Sequence, residues 1–142
     1  MIKTVLVLCT GNSCRSQMAE GYLRLLNPGI EIRSAGISVN GVNPLAVRVM
    51  AEDGIDISLQ TSNHIDEYAN TPFDVVLTVC DHANEVCPVF PYKTIRIHQN
   101  FIDPSGQTGE DEDVLPFYRQ TRDAIKIYMH SISEEGFVLK KH

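Results

Sequence analysis

The segment Val7–Ser16, VLCTGNSCRS, holds the residues whose types and spacing say most about chemistry. Cys9 ends an apolar run, five residues (Thr10, Gly11, Asn12, Ser13, Cys14) form a polar loop, and Arg15-Ser16 open a helical pattern. Such a loop turns its backbone N–H groups and the helix N-terminus toward one point, and the arginine adds a bidentate clamp. That arrangement suits a tetrahedral oxyanion. The same positive field is expected to lower the pKa of Cys9 and make it a thiolate near neutral pH. Ser16 is placed to donate a hydrogen bond to that thiolate. Gly11 and Asn12 are the residue types most tolerant of a left-handed backbone. Without its context the segment is a βα turn in which Cys9 is a buried strand residue. The segment has neither the Gly-Lys-Ser/Thr of a nucleotide P-loop nor a dinucleotide fingerprint.

The elements around the loop must position it. Lys3 to Leu8 reads as a strand, and Met18, Ala19, Tyr22, Leu23 and Leu26 recur at helical spacing until Asn27-Pro28-Gly29 stops them. Glu31 to Ala35 is a second strand. Asn43-Pro44 caps and starts a helix that runs to about Asp53. Phe73 to Val79 is nearly all apolar, as a buried parallel strand should be, and Thr94 to His98 is a fourth. Tyr118, Arg122, Ile125, Met129 and Ile132 signal a final helix, with Glu110-Asp111-Glu112-Asp113 as its solvated approach. Strands alternating with helices predict a single α/β domain over residues 1–142, with a four-stranded parallel sheet flanked by helices.

A net charge of −6 argues against a nucleic-acid binder, although one local site can still be positive. No apolar run approaches the ~18 residues of a membrane span, and the apolar N-terminal run is too short for a signal peptide. A cytoplasmic protein is expected. Four cysteines in such a chain point to catalytic, redox or metal roles rather than a disulfide framework. Cys80 and Cys87, flanking DHANEV, also read as buried packing cysteines. A metal site with His82 is the weaker alternative, having six intervening residues and three ligands.

CTGNSCRSQMAEG closely resembles the signature of the low-molecular-weight tyrosine phosphatases and of the arsenate reductases that share their fold. The resemblance extends through Ser34-Ala35-Gly36, Gly41-Val42-Asn43-Pro44 and Gly54-Ile55-Asp56-Ile57-Ser58. It implies a flavodoxin-like domain in which Cys9 is the nucleophile, Arg15 binds the oxyanion, and Asp103 of Phe101-Ile102-Asp103-Pro104-Ser105-Gly106 is the general acid. Tyrosine phosphatases usually place tyrosines just after Asp-Pro; Ser105 and Gly106 stand there instead. Cys80 and Cys87 look like the redox segment of thioredoxin-coupled arsenate reductases. The implied function is reduction of arsenate to arsenite through Cys9, Cys80 and Cys87, with phosphomonoester hydrolysis as the alternative. Thioredoxin, or glutaredoxin with glutathione, is the implied donor to a monomeric enzyme. Cys14 is read as structural, or as a protective disulfide partner of Cys9. The resemblance also implies a potassium position at Asn12, Glu20, Ser34 and Thr61, weakened because Asn63 replaces a carboxylate.

Overall fold

The computed structural model describes residues 1–138. Four strands, β1 (Thr4–Cys9), β2 (Glu31–Gly36), β3 (Val75–Thr78) and β4 (Ile95–His98), form one all-parallel sheet in the order β2-β1-β3-β4. The four helices are α1 (Arg15–Leu26), α2 (Pro44–Glu52), α3 (Asp81–Val86) and α4 (Asp111–Glu134). Val5, Leu6, Val7 and Leu8 are completely buried, which is why β1 reads as a continuous apolar run with no alternation. Edge strand β4 exposes all but Ile97. α1 packs on β1 and β2, α4 covers α1 and α2, and α3 sits on β1 and β3. Among the described residues no helix is long and apolar enough to cross a membrane.

Most elements match the pattern read from sequence, with a few differences. β3 is shorter than the Phe73–Val79 run because Asp74 leaves the ladder to accept from the N–H groups of Lys3 (2.7 Å) and Thr4 (3.2 Å). The acidic stretch is no approach to α4 but its first turn. Asp111–Asp113 are helical, and Glu110 and Asp113 form a reciprocal capping box that complements the helix dipole. Pro116 falls inside α4, and the helix continues through it because Val114, Leu115 and Tyr118 are buried on the same stretch. Helix α3, which the sequence only permits, is formed.

The strand order reverses between β1 and β3, the place where open α/β sheets build their sites. These neighbours pair in parallel with Leu8 opposite Thr78, and the Val79 N–H reaches the Leu8 carbonyl at 3.0 Å. The C-terminal ends of both strands therefore lie at the same edge. Cys9 ends β1 there, and Cys80 stands two residues beyond Thr78.

Candidate active site

Cys9 leaves β1 and the chain turns through Thr10–Cys14 into α1, with Asn12 at φ 46°, the left-handed conformation expected of it. Its buried amide explains how the turn is held. Nδ2 donates to Ser16 Oγ (2.9 Å) and Ser34 Oγ (2.8 Å), while Oδ1 accepts from the Asn63 N–H (2.7 Å). Gln17 Nε2 adds bonds to the Asn12 and Thr61 carbonyls. Gly11 does not use a positive φ. A Cβ there would lie 2.3 Å from Nδ2 of the exposed Asn40 side chain, which would have to swing aside. Gly36, beneath the loop, is glycine for want of room: a Cβ would come within 2.8 Å of three backbone atoms, including Asn12 N and Thr10 O. The Ser16 hydroxyl accepts from Asn12 Nδ2, a bond that leaves its own proton free to donate.

Cys9, Thr10, Gly11, Ser13, Cys14, Arg15 and Asp103 line one pocket of about 290 Å³. Arg15 Nη1 donates to the Phe101 carbonyl (3.0 Å), and Nη2 lies 3.5 Å from Asp103 Oδ2. Asp103 Oδ1 is bound by the N–H and hydroxyl of Ser105 (3.0 and 2.7 Å), so Oδ2 is the oxygen left to meet a substrate. Loop N–H groups, guanidinium and carboxyl thus surround one small polar cavity beside a sulfur. Asn40 and Ser105 also line it, and nothing in their spacing marks them in advance.

Two further cysteines take different places. Cys80 is buried at the N-cap of α3, where its sulfur accepts from the Ala83 N–H (3.4 Å) and contacts Thr10 Oγ1 (3.3 Å) of the loop that Cys9 opens. Cys87 is the C-cap of the same helix, half-buried and outside the pocket. The closeness of the two thiols changes the expected ionisation. The neighbouring Cys80, then burial, raise the Cys9 thiol above its ordinary range, against the pull of Arg15 and the Thr10 N–H. Cys9 in turn brings Cys80 down to about 5, helped by Thr10 and Ala83. The pair therefore carries one negative charge at neutral pH, shared between the two sulfurs. Cys9 alone was expected to carry it. Cys14 is pushed up to about 12, first by burial and then by Asp103, so it stays a thiol. Burial also raises Cys87.

A testable pH dependence follows from the shared proton. The depressed member is ionised above its pKa, so thiolate reactivity should hold from neutral pH downward and fall as pH drops through about 5. Inactivation by iodoacetamide, followed against pH, should show that midpoint. A midpoint near the ordinary thiol value of 9.0 would rule out the shared proton.

Asn12, Glu20 and Ser34 do meet, beside a separate cavity of about 470 Å³ that Glu20, Ser34, Thr61 and Asn63 line. The Glu20 carboxylate is already engaged: Oε1 accepts from the Ser34 hydroxyl and Oε2 from Arg24 Nε at 2.7 Å. Thr61 Oγ1 donates to Asn63 Oδ1 (2.7 Å). A guanidinium sits where a potassium ion would need the carboxylate, so these residues do not fit the ion as they stand. Among the described residues no group of three His, Cys, Asp or Glu side chains could hold a metal, His82 included.

The family model for low molecular weight phosphotyrosine protein phosphatase matches residues 4–136. An arsenate reductase of Halalkalibacterium halodurans is 46% identical over 135 residues, spanning 94% of this chain and 97% of its own length. An arsenate reductase of Bacillus subtilis is 43% identical over the same shares. Among solved structures, an arsenate reductase in the phosphate binding state superposes with a TM-score of 0.79 at 34% identity, covering 94% of this chain and 98% of that one.

Proposed function

The chain belongs to the low molecular weight phosphotyrosine protein phosphatase family, and from that footing we propose that it reduces arsenate to arsenite through three of its cysteines. One observation carries the reading: the sulfur of a second cysteine, Cys80, reaches the anion loop at Thr10 Oγ1 (3.3 Å), and a third caps the far end of the helix that the second one starts. Ester hydrolysis needs Cys9, Arg15 and Asp103 only. It leaves Cys80 and Cys87 without a task.

Arsenate enters the loop against Arg15 and the backbone donors. Cys9 sulfur bonds to arsenic(V), its proton passes to the neighbouring Cys80 thiolate, and Asp103 protonates the oxygen that leaves as water. Cys80 sulfur then attacks Cys9 sulfur, giving up its proton to the departing product. The sulfur–arsenic bond breaks with its electron pair retained on arsenic, so arsenite leaves and a Cys9–Cys80 disulfide remains. Cys87 attacks Cys80 and expels Cys9 as a thiolate. An external dithiol reduces the Cys80–Cys87 disulfide, and we assign that part to thioredoxin in a cytoplasmic setting. Steady-state arsenate reduction with thioredoxin, and separately with glutaredoxin and glutathione, tests the assignment. Faster turnover with glutaredoxin would overturn it. In the same assay, matched potassium and tetramethylammonium buffers should give equal rates because Arg24 already occupies Glu20.

A further inference from the structure

His98 ends β4 and points to neither the reacting pocket nor solvent alone. Its imidazole spans two elements: Nδ1 lies 2.7 Å from Thr78 Oγ1 on β3, and Nε2 lies 2.7 Å from Asp81 Oδ1, on the first residue of α3. A carboxylate can only accept, so Nε2 carries a proton toward Asp81, while Nδ1 faces the Thr78 hydroxyl. The Asp81 N–H is held as well, by Asn100 Oδ1 at 3.0 Å. The reactions proposed above use none of these contacts.

Their importance comes from what α3 must do. Cys80 and Cys87 cap its two ends, and seven helical residues span about 10.5 Å. A disulfide tolerates a Cα separation of only ~4.4–6.8 Å, so the helix cannot survive the Cys80–Cys87 bridge. β4 stays in the sheet, with His98 paired to Thr78, while Asp81 moves with the unwinding turn. The His98–Asp81 contact therefore belongs to the reduced, helical form. Given that the Cys80–Cys87 disulfide of the proposed relay forms, we propose that His98 is a positioning residue which latches α3 through Asp81 and so sets the reduction potential of that cysteine pair. Stabilising the reduced form makes the disulfide easier for a dithiol donor to reduce. It also holds Cys87 back until Cys80 has been oxidised.

The pair can be isolated in full-length Cys9→Ser protein, equilibrated with glutathione redox buffers and read by alkylation and mass spectrometry. His98→Ala should shift the equilibrium toward the disulfide by about tenfold, a potential ~30 mV more negative. Asp81→Ala, at a side chain 68% exposed, should fold normally and shift it the same way. Adding His98→Ala to Asp81→Ala should then change little, because both remove one contact. His98→Gln, which keeps a donor for Asp81, should recover part of the shift. Amide exchange over residues 80–90 of the reduced protein should be faster in His98→Ala than in its parent. Equal equilibrium constants in folded His98→Ala and its parent would overturn the latch, as would an additive double variant. Failure of the parent to form any Cys80–Cys87 disulfide would instead remove the relay on which the latch depends.

Discussion

Cys9→Ser should lower arsenate reduction by on the order of 10⁴-fold or more, the scale of losing a covalent nucleophile, and should remove any aryl phosphatase activity with it. Both reactions begin with the same sulfur in the same pocket. Cys87→Ser should behave quite differently. Its pocket, its Cys9 and Cys80 thiols and its Arg15 clamp are untouched, because Cys87 lies at the other end of α3. One equivalent of arsenite per protein should appear at close to the native rate, and turnover should then stop at a Cys9–Cys80 disulfide. Aryl phosphatase activity, where present, should persist. Rapid-quench arsenite counting distinguishes the two variants directly. Sustained turnover of Cys87→Ser with thioredoxin as sole donor would end the three-cysteine scheme.

The second large effect is expected from a substitution that preserves charge. Arg15 is fixed by two different nitrogens, one on the Phe101 carbonyl and one near Asp103 Oδ2. A lysine has a single ammonium on a flexible stem and cannot hold both positions while presenting a fork to an oxyanion. Arg15→Lys should therefore lose about 10²–10³-fold in kcat/KM for arsenate, the usual loss for removing one preorganised oxyanion donor. Phosphate should compete with arsenate in the wild type and lose affinity in the variant. Near-native kinetics in Arg15→Lys, or no phosphate competition in the wild type, would remove the shared oxyanion cradle from the account.

The parts of the site legible in sequence are those where local chemistry and local spacing coincide. Cys9, Arg15 and the strand and helix that flank them lie within one short segment, so their roles can be read from it. Asp103 and the distal cysteines become readable only through the family resemblance, because their partners lie across the sheet. What stays hidden is pairwise. Neither Cys9 nor Cys80 announces the other's closeness, and that closeness makes the two sulfurs share one charge. Ser16 is seen only in the structure to accept from Asn12. Arg24 fills the Glu20 site from one helical turn away, a spacing that reads in sequence as an ordinary surface ion pair. His98 and Asp81 are unremarkable polar residues until β4 and α3 bring them together.

The parallel register of β1 and β3 makes the chemistry depend on arithmetic. Both sulfurs lie at one edge because Leu8 stands opposite Thr78, with Cys9 one residue beyond Leu8 and Cys80 two residues beyond Thr78. Side chains alternate faces along a strand, so one residue inserted between Thr78 and Cys80 would turn that thiol away from Cys9 without changing any residue type. An insertion of the same size between Pro88 and Lys93, before β4 begins, would leave the register of β1 and β3 intact. Over evolutionary time, and in any library of variants, length should therefore drift freely in the second segment and hardly at all in the first. An indel scan across residues 76–94 would show that contrast as a sharp boundary in tolerated chain length.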